Sequence, residues 1–76
     1  METLLQKYQE ELRKVGLEFE LKKELNSKFV GTVKENGISI LEKWEVQKCL
    51  QWNHVRSFAQ MTKENVEMHK KIFMNH

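Results

Sequence analysis

The dipeptide Asn36-Gly37 lies between two segments of alternating apolar residues, and it restricts the fold more than any other feature of the chain. Asn and Gly both tolerate the positive φ that a two-residue hairpin turn needs at its centre. Such a turn sets Glu35 opposite Ile38, Val33 opposite Ile40 and Phe29 opposite Trp44. Upstream, Leu17, Phe19 and Leu21 alternate with Glu18, Glu20 and Lys22, the period of a strand with one wet face, and Leu25 stays in phase. A three-residue turn at Asn26-Ser27-Lys28 then places Leu25 opposite Phe29 and Leu21 opposite Val33. Both turns direct Leu17, Phe19, Leu21, Leu25, Phe29, Val33, Ile38, Ile40 and Trp44 to a single face. A slip of one residue in either hairpin would turn half of that set to water. The pattern predicts a three-stranded antiparallel meander whose other face carries Val30, Thr32 and Leu41 among charges, a small apolar spot on a solvated surface.

Helices are expected on both sides of the meander. Thr3-Leu4-Leu5-Gln6 fits a capping box, and Met1, Leu5, Tyr8, Leu12 and Val15, widened by Leu4, form one helical stripe. Glu10 stands four residues before Lys14, the favourable order for a helical ion pair, and Gly16 falls where a left-handed cap is wanted. Residues 4–15 are therefore read as a helix. From about Glu45 onward neither glycine nor proline interrupts a helical composition. Trp52, Val55, Ala59, Thr62, Val66, His69 and Phe73 recur at alternating spacings of three and four, which suits one long helix with a coiled-coil-like seam. Met61-Thr62 followed by Val66 resembles a cap with a hydrophobic staple, and it favours two helices with a break between Asn53 and Thr62. The expected architecture is α+β, α-β-β-β-α with one long or two short C-terminal helices. It forms one small domain over residues 1–76, because 76 residues are too few for two cores. Met68 and Ile72 fall off the main seam, which leaves the last helix apolar on two sides.

The helix–sheet–helix order resembles the double-stranded-RNA-binding domain in outline. That family grips phosphates with lysines at the start of its last helix. The comparable stretch here, Trp44-Glu45-Val46-Gln47-Lys48-Cys49, holds one lysine and one glutamate, so the resemblance implies an order of elements and nothing of the binding.

Missing residue types narrow the chemistry. The chain has no aspartate, which removes a Ser-His-Asp triad and makes an EF-hand or an Asp-rich magnesium clamp untenable. Its three glycines, Gly16, Gly31 and Gly37, are too far apart for a phosphate-cradling loop. So small a chain leaves little room for a pocket of several hundred cubic ångströms beneath a complete core. Cys49, His54, His69 and His76 have no metal-ligand spacing, and a buried thiol with incidental histidines is the expectation. Cys49 and His54 as nucleophile and base would diverge around a helix. No catalytic residue, metal site or cofactor is expected. The single cysteine suits a reducing compartment, and Glu2, Glu10 and Glu11 argue against a secretory signal. No apolar run approaches the ~20 residues of a membrane span. A cytoplasmic protein is expected.

Two function classes remain. The favoured one is a non-enzymatic protein-binding module that self-associates, with Met68, Ile72, Val30 and Leu41 as its apolar contacts. Trp44 and Trp52 are read first as packing residues, with Trp52 an anchor for a partner if it proves exposed. Eleven lysines against two arginines, with one alanine, hint at an AT-rich gene of a low-GC bacterium or its phage. Small proteins from such sources often inhibit or regulate host machinery, so a phage- or mobile-element-type inhibitor or regulator of a host protein is the more specific expectation. The alternative is a nucleic-acid-binding regulator that uses Arg56, Lys63, Lys70 and Lys71, since residues 26–76 hold eight basic against five acidic side chains. Glu42, Glu45, Glu64 and Glu67 interleave with those lysines, which favours a mixed, solvated surface.

Overall fold

The computed structural model describes residues 3–74, with side chains through residue 72. Those residues form α1 (Leu4–Lys14), β1 (Glu18–Glu24), β2 (Lys28–Glu35), β3 (Ile38–Gln47), a single 3-10 turn (Trp52–His54) and α2 (Val55–Met74). The strands make an antiparallel sheet in the order β1-β2-β3. α1 lies against β1, α2 lies against β3, and the two helices pack on each other. The expected α+β layout is the observed one. Met1, His76 and the Phe73 side chain lie outside the described residues.

Local signals set the ends of α1. The Thr3 side chain accepts from the Gln6 backbone N–H, and the Gln6 side chain accepts from the Thr3 N–H, which completes the capping box. At the other end Gly16 has a φ of 82°. The Gly16 N–H bonds the Arg13 carbonyl and the Leu17 N–H bonds the Leu12 carbonyl, the paired closure of a Schellman cap. Lys14 pairs with Glu11 at 3.0 Å rather than with Glu10. Glu11 faces α2 and is nearly buried, so its carboxylate gains most from a cation, and the Lys14 bond holds its pKa below the usual range.

Asn36 and Gly37 both have positive φ, and Glu35 pairs with Ile38 as the turn requires. Past that point β3 carries two bulges. Ile40 is extra between the Lys34–Ser39 and Val33–Leu41 pairs, and a further residue is extra before the Gly31–Trp44 pair. Each bulge reverses the facing of the residues beyond it, so the two cancel. Trp44 therefore keeps its expected face although Phe29 sits opposite Val46 rather than Trp44, and β3 runs on to Gln47 instead of giving way to helix at Glu45. Between the bulges Leu41 turns inward, pairs with Val33 and packs on the core, which corrects its placement on the outer face. Val30 stays outside the core cluster and half-buried. In the first hairpin Phe19, not Leu21, pairs with Val33, and a bulge at Lys22 sets Glu24 opposite Phe29 around a Leu25–Ser27 turn. Leu21 and Leu25, expected on the inner face, are exposed, as is Ile38 at the tip of the second hairpin.

The core joins Tyr8 and Leu12 of α1 to Leu17, Phe19, Val33 and Val46 of the sheet and to Val55, Ala59 and Val66 of α2. At its centre runs one hydrogen-bond chain. The Thr62 hydroxyl gives its only proton to the Phe58 carbonyl at 2.9 Å. Its oxygen must then accept from the Tyr8 phenol at 2.8 Å. The phenol oxygen accepts in turn from the Trp44 indole N–H at 2.8 Å. Thr62 is thus a buried residue inside a continuous helix, not the cap of a new one; the one change of helix type comes at His54–Val55. The Tyr8 ring meets Phe19 edge-on and lies against Phe58, which stacks on Trp44.

Gly31 permits the close approach of β1. A Cβ there would stand 2.3 Å from the Glu20 carbonyl oxygen and 2.7 Å from the Phe19 ring. Backbone cannot yield as a flexible side chain can. Gly31→Ala is expected to lower unfolding stability by about 2–3 kcal/mol in a urea titration, through forced displacement of β1.

Burial pushes the Tyr8 phenol up to about 12. An unfolded tyrosine ionises near 10, so the contribution of the neutral phenol is complete below that pH and is lost as pH rises towards 12. The shift corresponds to about 3 kcal/mol. As the sole tyrosine of the chain, Tyr8 should show tyrosinate absorbance appearing together with loss of circular dichroism, well above pH 10. Tyr8→Phe strands the Trp44 N–H and should cost about 2 kcal/mol at neutral pH.

Candidate functional site

α2 presents two faces. Val55, Ala59, Thr62 and Val66 are buried, following the spacing expected for one long seam. On the outer side Met61 is 44% exposed, Met68 60% and Ile72 59%. At about 100° per residue these three and Asn65 fall within one narrow stripe. Large apolar side chains confined to one line of a helix differ from the scattered exposed residues that any surface carries. The sequence singled out Met68 and Ile72. Met61 was missed as a contact because it was read as part of a helix start, although its spacing of seven to Met68 carried the signal.

Beside the stripe lies a cleft of about 390 Å³ lined by residues 39–44 of β3 and by His69. The stretch of β3 that lines it contains both bulges, and its space opens at the surface rather than beneath the core. The expectation of little room beneath a complete core concerned the interior, and this cleft is a surface feature. His69 precedes Ile72 by three residues, so cleft and stripe are neighbours on the helix. Leu41 belongs to the cleft wall rather than to an outer sheet patch, and Val30 is on the sheet, apart from both. Trp52 is 50% exposed in the 3-10 turn with the Lys7 ammonium 6.0 Å from its ring centroid. Packing is therefore the role of Trp44, and Trp52 is a surface aromatic. Ile38, 65% exposed, is paired with Glu35, the residue that receives Lys70 of α2.

The basic residues divide. Arg56, Lys63 and Lys70 recur every seven residues and form a column on α2, with Lys71 on another side. The column is countered at both ends: Arg56 lies 3.9 Å from Glu11, and Lys70 bonds Glu35 at 2.6 Å and lies 4.0 Å from Glu67. The Glu35 bond raises the Lys70 pKa. On the sheet Lys22 and Lys34 share Glu20, whose pKa falls to about 2, mainly through the Lys22 bond. Lys28 pairs with Glu45 and Lys48 with Glu24. Lysines and glutamates are thus interleaved in ion pairs over much of the sheet and at both ends of the α2 column.

Among the described residues no three His, Cys, Asp or Glu side chains are grouped to hold a metal ion. Cys49 is exposed in the turn after β3, which corrects the expected buried thiol, and His54 belongs to the 3-10 turn rather than to a helix shared with it. No described helix is long and apolar enough to cross a membrane. Pairing Lys70 with Glu35 anchors the far half of α2 to the β2–β3 hairpin, and Lys70→Met should lower the thermal midpoint by no more than a few degrees, since partly exposed ion pairs contribute about 1 kcal/mol or less. No protein-family model, no curated protein and no solved structure matches this chain.

Proposed function

We propose that this chain is a non-enzymatic protein-binding module that self-associates and acts as an inhibitor or regulator of a larger protein, in the manner of small phage or mobile-element proteins, within a reducing cytoplasm. The observation that carries the reading is the stripe of Met61, Met68 and Ile72, left uncovered on a helix whose other side is fully used by the core. Apolar residues aligned on one helical face suit another protein surface, which gains from their burial. The exposed Trp52 adds a rigid aromatic of the type that dominates interface energies. The paired charges on the sheet and at both ends of the Arg56–Lys70 column argue against a phosphate-binding face, which needs cations left for the ligand.

The protein should sediment as a concentration-dependent dimer, and Met68→Glu or Ile72→Glu should weaken association by more than about tenfold. A lysate with its nucleic acid left intact, passed over the immobilised protein, should yield one stoichiometric protein partner. Retention of nucleic acid alone, with affinity that falls steeply with salt and is lost in Arg56→Glu or Lys71→Glu, would overturn this reading in favour of nucleic-acid binding.

A further inference from the structure

We infer that the occupant of the α2 stripe is the same stripe of a second copy, crossing it in antiparallel orientation. The inference rests on the self-association proposed above and specifies its geometry. Phe58, Met61, Asn65, Met68 and Ile72 are spaced by three, four, three and four, which is the alternation of a coiled-coil seam. Phe58 is engaged within its own chain by Trp44 and Tyr8, so four positions remain for a partner. A two-fold interface must be self-complementary. In the antiparallel register Met61 meets Ile72 of the other copy at both ends, while Asn65 meets Met68 in the two central layers. All four positions are used. A shift by one heptad in either direction loses at least two of the four.

The flanks choose the orientation. On one side of the seam stand Ser57, Glu64 and Lys71, all exposed. Among the described residues neither Glu64 nor Lys71 has an ion-pair partner. On the other side stand Thr62, which is buried, and His69, which lines the cleft. Antiparallel helices bring like flanks together, so Glu64 of each copy meets Lys71 of the other and two symmetric ion pairs form. Parallel helices would set Glu64 against the Thr62–His69 flank, where each chain's own β3 already lies, and would leave Lys71 without a carboxylate. Asn65 bonds the Met61 carbonyl of its own helix at 2.9 Å and places one polar residue in an otherwise apolar seam. Set against Met68 in the antiparallel register, its amide keeps that intrahelical bond and costs the seam affinity rather than adding to it.

Charge reversal and cross-linking test the geometry in the full chain. Glu64→Lys and Lys71→Glu should each weaken the dimer about tenfold, and the two together should restore it. Both positions are solvent-exposed, so the fold is not at risk. In a Cys49→Ser background, oxidised Met61→Cys/Ile72→Cys protein should form a disulfide-linked dimer, whereas neither single cysteine should link to itself. A monomer at every concentration would overturn both the self-association reading and this geometry. A dimer in which Met61→Cys alone cross-links, or in which the double reversal fails to restore affinity, would overturn the antiparallel seam and leave self-association standing.

Discussion

The phenol of Tyr8 is the group on which the three layers of this protein agree. It donates to Thr62 of α2 and accepts from Trp44 of β3 while its own backbone belongs to α1. A buried hydroxyl with both its donor and acceptor roles filled fixes relative positions in a way that apolar contact alone does not, because each bond has a direction. The surrounding rings of Phe19, Phe58 and Trp44 exclude water from it, and the same exclusion keeps the phenol neutral. In so small a domain, a few kcal/mol at such a junction is a large share of the total stability.

The position of Trp44 depends on two irregularities that offset one another. Without the bulges in β3, Trp44 would oppose Phe29 and its indole would stand two residues further along the sheet. With them, it lies across from Gly31, next to the Phe19 ring that occupies the space a larger residue at 31 would claim. The same bulges turn Leu41 inward and lie in the stretch of β3 that lines the cleft beside α2. Core and surface thus meet along one irregular stretch of strand.

Features that depend on near neighbours in sequence were legible before the structure. Thr3 and Gln6 close their capping box, Gly16 takes the left-handed conformation, and Asn36-Gly37 turns the second hairpin. The facing of Phe19, Val33 and Trp44 followed from alternation. Bulges were not legible, since a strand with an extra residue has the composition of a regular one; Leu41 and Phe29–Trp44 were misplaced for that reason. Gly31 in the middle of a strand was a signal of close backbone approach that alternation passes over. Thr62 looked like a cap because Ser and Thr favour helix starts, but a threonine that can bond the carbonyl one turn back and a buried phenol is content mid-helix. Of the candidate contacts, Met68 and Ile72 were read from helical phase, and Trp52 became a surface residue only once Tyr8 and Trp44 were seen to complete the core without it.

All three bulges fall on β1 and β3, the outer strands, while β2 between them pairs without an inserted residue. An outer strand displays unmet amide and carbonyl groups, and a flat one recruits stray strands into aggregates. Kinking, reinforced by Lys22 and Lys23 on one rim and Glu42 and Lys43 on the other, spoils that template on both sides. A sheet guarded in this way cannot readily grow by annexing a neighbour, and among the described elements it is the long helix that keeps an exposed apolar line.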